Sequence, residues 1–297
     1  VKSGFVSLVG RPNAGKSTLL NRFAGQKLAI VSDQPQTTRH RILAVRTSPA
    51  GQIAFVDTPG IHKPVHRMNE RMVASATSAV READVVVDVV DASLAPGAGD
   101  RFVVDLVRSS GVAAILALNK IDRVHKPALL PLIDRYARTG LFRAIVPVSA
   151  LDGDGVDVLE REILEALPEG DLLYPDEYLT DQTERTLAAE LIREKVLRHT
   201  REELPYTTAV VIDRFEDPVE PGGLTRIHAS ILVDHESQKP IVVGRGGDMI
   251  KRIGTEARHD LERMLQSRVF LDLHVKVRER WRDDDRVLDD IGLGRRR

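Results

Sequence analysis

The chain has 297 residues, 42% hydrophobic and 29% charged, with a formal net charge of −1, a globular composition long enough for one large or two ordinary domains. Near-neutrality excludes a molecule-wide field that would draw the protein to nucleic acid or membrane, so any such affinity is local. The absence of cysteine excludes disulfides and thiolate metal sites and fits a reducing cytoplasm.

The chain starts in a strand-like run (5–9) without a signal-peptide h-region. Its apolar runs, such as 112–118, are too short to cross a bilayer. Residues 5–10 read as a buried strand and 16–25 as a helix closed by Gly25. "HRILAVRTS" and "GQIAFVDT" read as neighbouring strands joined at Pro49-Ala50-Gly51. A helix around 67–82, a strand at 83–92, a helix near 100–110 and a strand at 112–120 follow. A helix near 127–138, a strand at 144–150 and a helix at 155–167 complete the series. Apolar strands alternating with helices predict an α/β fold, a mostly parallel sheet covered on both faces.

Residues 169–184 hold six acids and no base, without periodicity, and read as an acidic interdomain linker between residues 1–168 and 185–297. A helix up to about Glu203, strands at 206–215 and 225–235, then "KPIVVGRGGDMIKRIG" as strand, glycine turn and helix, and a last strand at 269–281 give the order α-β-β-α-β. The terminal "GRRR" reads as a frayed or non-native end.

"GRPNAGKS" (10–17) lies between a predicted strand and helix, the context in which G-x-x-x-x-G-K-[ST] cradles phosphates with backbone N–H groups. Gly10, Asn13, Ala14, Gly15 and Thr18 belong to that loop and the helix start. Lys16 reaches the β- and γ-phosphates, and the Ser17 hydroxyl ligates Mg²⁺. "DTPG" (57–60) ends a strand, where Asp57 takes a Mg²⁺-bound water and the Gly60 N–H senses the γ-phosphate. In "NKID" (119–122), with Lys120 between them, Asn119 serves the purine N7 and Asp122 accepts two guanine N–H groups that adenine lacks. "SAL" (Ser149, Ala150, Leu151) offers the Ala150 N–H to guanine O6. Four motifs in order, each at the C-terminal end of a strand, make a guanine-nucleotide site.

The polar segment 32–41 should supply a threonine to Mg²⁺, Thr38 first and Thr37 second. Lys16, Thr38 and Gly60 are thus the candidate catalytic groups. His62 and His66 read as solvated loop residues, and Trp281 as a packing residue rather than a base platform.

The G-x-x-G turn (Gly244, Arg245, Gly246, Gly247) sits in a stretch, 239–282, with eleven Lys/Arg and six Asp/Glu. Arg245, Lys251 and Arg252 bracket the turn where a nucleic-acid backbone would pass, as in KH modules that clamp about four nucleotides.

"GRPNAGKSTLLN", "QTTRHRI", "DTPGIHKP", "NKID", "ELPYTTAV", "VVGRGGDMIKRIG" and "WRDDDR" together resemble the bacterial Era GTPase family, over essentially the whole chain. The resemblance implies a Ras-like GTPase domain followed by a type II KH domain. It further implies Mg²⁺, GTP and GDP as ligands, and the 3′ end of 16S ribosomal RNA and the 30S subunit as partners. A monomer without DNA affinity is expected, in the cytoplasm and partly peripheral at the inner face of the cell membrane. The competing reading is a signalling GTPase whose basic second domain meets lipid or a protein.

Two positions stand out. Asp88 occupies a central strand where the family usually has an apolar residue, and a carboxylate there is costly unless paired or neutral. After Gly60, Ile61 stands where a Ras-like switch places a water-orienting glutamine. Turnover is therefore expected to be slow, about 10⁻⁴ to 10⁻² per second. Backbone groups are expected to hold the water, with Asn13 helping to bind a K⁺, as "RPNAGKS" with "TTR" resembles potassium-stimulated relatives.

Overall fold

The computed structural model describes residues 1–34, 37–60, 66–218, 220 and 223–293; Ile61, His62 and the terminal 294–297 lie outside them. Contacts divide the chain into two compact units, residues 1–29, 38–65 and 69–181, and residues 30–37, 66–68 and 182–297.

The first unit runs β1 (Lys2–Val9), α1 (Lys16–Ala24), β2 (Ile42–Ser48), β3 (Gly51–Asp57), α2 (Arg67–Glu82), β4 (Val85–Asp91), α3 (Ala98–Ser110), β5 (Ala113–Asn119), α4 (Lys126–Ala137), β6 (Ala144–Pro147) and α5 (Val156–Ala166). Residues 67 and 68 of α2 group with the second unit. The sheet order is β2-β3-β1-β4-β5-β6, and β2 alone runs antiparallel, paired to β3 from Ile42↔Asp57 to Ser48↔Gly51. The remaining strands are parallel, as apolar strands between helices require. α1 and α5 pack Leu19, Leu20, Phe23, Leu159 and Ile163 against one sheet face, where Phe23 stacks on Phe55 at 4.3 Å. Val103 and Val107 of α3 join Val80 and Val86 on the other.

Residues 169–181 are not a free linker. The Gln52 side chain, itself buried, accepts from the Leu173 and Tyr174 N–H groups at 2.9 Å and donates to the Tyr174 carbonyl. The Val45 N–H donates to the Leu179 carbonyl, and Thr180 donates to Leu43. Tyr174 stacks on Tyr178 at 4.7 Å. Backbone hydrogen bonds and aromatic packing hold this acidic segment, neither of which shows as periodicity.

Asp88 lies in β4 between Val9 and Leu116. It is 1% exposed, and neither carboxylate oxygen has a hydrogen-bond partner. Burial pushes its carboxyl up to about 8, helped by Asp100 and opposed by Lys16. It is thus a neutral acid at pH 7, which is how the sheet tolerates it.

The second unit contains α6 (Glu184–His199), α7 (Leu204–Thr207), β7 (Ala209–Glu216), β8 (Leu224–Val233), α8 (Lys239–Val243), α9 (Asp248–Leu265), β9 (Arg268–Val277) and α10 (Asp285–Leu288). Its sheet is β7-β8-β9, the first pair antiparallel and the second parallel. α6 starts within the expected linker because Thr183 caps it, its side chain accepting from the Thr186 N–H. Residues 239–243 are helical rather than the predicted strand. Pro240 stands in the first turn, where its missing N–H costs nothing, Val242 is fully buried, and the Gly244 N–H closes on the Pro240 carbonyl at 2.8 Å. Packing and the proline outweigh the strand preference of the valines. Trp281 is fully buried and donates its indole N–H to the Thr207 carbonyl at 2.8 Å; it is a packing residue.

Residues 30–37 join this unit through α6. Glu194 accepts the Val31 N–H at 3.1 Å, and buried Arg193 donates to the Thr37 carbonyl. Among the described residues no helix is long and apolar enough to cross a membrane.

Candidate nucleotide site and candidate nucleic-acid groove

The loop between β1 and α1 has the backbone that a phosphate cradle needs. Gly10 and Gly15 adopt φ of 146° and 98°, and a Cβ on them would lie 2.3 Å from the Val89 carbonyl oxygen and 2.1 Å from the Asn119 amide nitrogen. Only glycine fits either position. Asn13 takes φ 63°, in the left-handed region that asparagine tolerates. Lys16, 5% exposed, donates to the carbonyls of Gly10 and Arg11 at 3.2 and 3.0 Å. Burial pushes its ammonium down, against the raising pull of Asp57 and Asp88. Ala14 is buried in the core below the loop, and Thr18 continues α1 after Ser17.

The three residues expected around Mg²⁺ converge. Ser17 Oγ lies 2.7 Å from Asp57 Oδ2 and 2.8 Å from Thr38 Oγ1, which is itself 3.4 Å from Asp57. Asp57 is fully buried, and its second oxygen, Oδ1, has no partner. Burial pushes this carboxyl up, opposed first by the Lys16 charge and then by the hydroxyls of Ser17 and Thr38. Three hard oxygens and an orphaned carboxylate atom are what an octahedral Mg²⁺ and its waters take. Thr37 instead turns its hydroxyl back to the Gln34 carbonyl at 2.5 Å. Gly60 is packed so closely on Pro12 that a Cβ would lie 2.9 Å from it.

Asn119 ties the base loops together. Its amide donates to the Ala14 carbonyl at 2.8 Å, and its oxygen accepts the Ala150 N–H at 2.9 Å. The Ala150 N–H, expected for guanine O6, is thus directed at Asn119. Asp122 accepts from the Ser149 hydroxyl at 2.8 Å, which orients one carboxylate oxygen. Lys120, with φ 67°, donates to Asp91 at 2.6 Å. Burial works to raise Asp91, but hydrogen bonds from Lys120 and Ser93 outweigh it and hold the carboxyl below its usual range. Leu151 is 64% exposed. The ion pair of Arg11 with Asp100 at 2.9 Å braces the same loop from α3. Neither the pair nor Asp91 was expected, because Asp100 and Asp91 lie outside the four motifs.

In the second unit, Gly244, Gly246 and Gly247 have φ of 77°, 61° and 84°. A Cβ on Gly244 would strike Asp248 and Met249, whereas Gly246 and Gly247 face open space. The turn thus ends in two unobstructed glycines at the start of α9. Beside it a cavity of about 300 Å³ is lined by Ile250, Lys251, Gly254, Thr255, Arg258, Leu271 and Leu273. Lys251 is the expected residue there. Arg245 is exposed in the turn, and Arg252 pairs with Glu256 at 3.5 Å, off the cavity lining. The apolar floor from α9 and β9 was missed in the sequence; its signal was the alternation of Leu271 and Leu273 in β9.

Comparison with known proteins follows the same two parts. Residues 5–120 match the model described as 50S ribosome-binding GTPase, and residues 203–282 match the KH domain model. The GTPase Era of Geobacter metallireducens is 48% identical over 291 residues, covering 98% of this chain and 97% of the relative. That of Heliobacterium modesticaldum is 44% identical over 293 residues, covering 99% and 97%. Two solved structures superpose with TM-scores of 0.95. A variant of Aquifex aeolicus Era bound to GDP and AlF4− is 38% identical, covering 99% of this chain and 100% of that one. An Era in complex with MgGDPNP and nucleotides 1506–1542 of 16S ribosomal RNA is 39% identical, covering 99% of each.

Proposed function

Because the chain belongs to the Era family of GTPases, we propose that it couples GTP hydrolysis to gripping the 3′ end of 16S ribosomal RNA, in the service of 30S subunit assembly. The observation that carries this reading is the open Gly246–Gly247 turn beside a groove that combines an apolar floor with Lys251 and Arg258, in a chain that also builds a guanine-nucleotide pocket. Lipid attraction needs basic charge but neither a G-x-x-G turn nor a groove.

In the nucleotide site, the backbone N–H groups of residues 13–17 and the Lys16 ammonium hold the β- and γ-phosphates, and Asp122 selects guanine. Ser17, Thr38 and, through a water, Asp57 would hold Mg²⁺, which when bound neutralises charge on the phosphate oxygens. Positioning and charge neutralisation carry phosphoryl transfer, so the lack of a glutamine at position 61 leaves slow turnover intact. Switch backbone groups orient the attacking water, while the Gly60 N–H senses the γ-phosphate. Asn13 would help to hold a K⁺, which would supply a fixed positive charge. Equal turnover in KCl and NaCl would remove K⁺ from this account.

GTP favours RNA binding in this reading. Support comes from two adjacent residues. Thr38 meets Ser17 and Asp57, while the Thr37 carbonyl is held by Arg193 of α6. A γ-phosphate that draws in Thr38 thereby pulls on the helix that packs against α9. The protein acts as a monomer in the cytoplasm, part of it at the inner face of the cell membrane.

The test is filter binding of single-stranded 16S 3′-end RNA with GTP analogue and with GDP. Tighter binding with the analogue, lost on Gly246→Asp plus Gly247→Asp, is expected. Binding that ignores these substitutions would sink the KH reading.

A further inference from the structure

The KH-type groove uses one side of β9. Leu271 and Leu273 point to it, while Phe270, Asp272 and His274 point to the other face of the sheet. That outer face is neither covered nor neutral. Phe270 is 48% exposed and Leu224 38%. Phe270 stands directly opposite Arg226 in the β8–β9 register, with Arg268 two residues before it on its own strand.

Most charges on this face compensate one another. Arg214 pairs with Glu216, Lys276 lies 3.4 Å from Asp213, and Asp272 lies 3.1 Å from both His228 and His274. Arg226 and Arg268 are exposed and have no hydrogen-bond or ion-pair partner among the described residues. His228, held by Asp272, backs the Phe270 ring at 5.9 Å with a 60° tilt. An open aromatic face flanked by two guanidinium groups outside any ion pair, although Glu216 stands opposite Arg226 on β7, is the combination that binds a stacked base and its phosphates.

The occupant follows from continuity with the groove. A KH groove takes about four nucleotides, so a longer RNA must leave it. β9 is the edge strand of its sheet, and neighbouring residues Leu271 and Phe270 face the groove and the outer surface. An RNA leaving the groove at this edge reaches Phe270 by turning around a single strand. We propose that the outer face around Phe270, Arg226 and Arg268 is a second single-stranded RNA site, which stacks one base and holds flanking phosphates of RNA continuing from the groove. The proposal rests on the RNA-binding reading for the polymer, but not on the glycine turn for its own contacts.

The experiment measures fluorescence anisotropy with labelled RNA on the full chain. Probes are the tightest-binding tetranucleotide window of the 16S 3′ end, and that window extended by eight nucleotides on one side or the other. Wild type should bind one extended probe more tightly than the tetranucleotide. Phe270→Ala should weaken that probe about five-fold or more, the lower end of one base–aromatic stack. Tetranucleotide binding should not change, and Phe270→Tyr should restore the gain where Phe270→Leu does not. Arg226→Ala plus Arg268→Ala should reduce the salt slope of the extended probe by about 1.4, two phosphate contacts on a single strand.

No length gain in wild type, or a gain that Phe270→Ala leaves intact, overturns the proposal and leaves the face to another partner. Equal weakening of short and long probes also overturns it, because the substitution would then act through the groove. Gly246→Asp plus Gly247→Asp separates the two readings. If tetranucleotide binding survives it, the KH reading falls. The extended probe's dependence on Phe270 still decides this proposal.

Discussion

Replacing Asp88 by valine should stabilise the first unit, by an amount that depends on pH. Burial pushes the Asp88 carboxyl up to about 8 from its ordinary value of 3.8. Between those values the folded protein keeps a proton that the unfolded chain has released. Folding therefore takes up a proton, and stability falls as pH rises from about 4 to about 8, at about 1.4 kcal/mol per pH unit. At pH 7 the gap spans roughly three units, so Asp88 costs about 4 kcal/mol, and at pH 5.5 about half that. Valine has nearly the same size, brings no buried polar atom, and meets valines on both sides in β4. For a unit of this size the gain corresponds to a rise in Tm on the order of 10 °C at pH 7. Calorimetry at pH 5.5 and 7 measures it, with the first unit's transition identified by its upward shift on adding GDP. The one tryptophan, Trp281, lies in the second unit, so the fluorescence transition should stay in place. A stabilisation equal at both pH values, or a loss of stability, would refute a neutral, unpaired Asp88.

Asp122→Asn keeps an acceptor for the Ser149 hydroxyl but turns one acceptor for guanine into a donor. GTP affinity should fall roughly a hundredfold or more, with xanthosine triphosphate, which carries a carbonyl at that ring position, recovering part of it in a competition assay. Arg193→Ala removes the hold on the Thr37 carbonyl. The ratio of RNA affinities with GTP analogue and GDP should move towards one, while GTP affinity stays within a few-fold. Trp281→Phe leaves the buried Thr207 carbonyl without its donor and should cost the second unit about 2 kcal/mol in urea denaturation followed by circular dichroism.

The nucleotide site was legible because its chemistry dictates residue type at fixed spacing after a strand. Asp57 and Asn119 end strands β3 and β5, Asp122 follows β5, and Lys16 and Ser17 open the helix after β1. The different partners of the Thr37 and Thr38 hydroxyls needed the structure, since two adjacent threonines look alike in the sequence. The helix at 239–243 was misread because Ile241, Val242 and Val243 favour strands locally while Pro240 and core packing decide otherwise. The segment 169–181 lacked any periodic signal because Gln52 and backbone groups hold it. The charges of α6 hide its role for a similar reason. Arg193, Glu194 and Lys195 are all buried, so its polar residues do not mark a solvated face. What Phe270 presents to solvent depends on which side of β9 the helices cover, and composition carries no record of that.

The β2–β3 hairpin has a practical use. Asp57 stands at one end, paired with Ile42, and Thr38 lies just before it; the turn at Pro49-Ala50 closes the other. Seven residues of strand separate the two ends, about 24 Å at the usual rise. Ala50 is exposed, so a dye, tether or short inserted tag at this turn can be read out or pulled upon far from the phosphates. Removing a single residue within β2 would instead shift Thr38 out of register with Asp57. The same hairpin thus offers one handle for surface attachment and, seven residues away, the position least tolerant of any change in length.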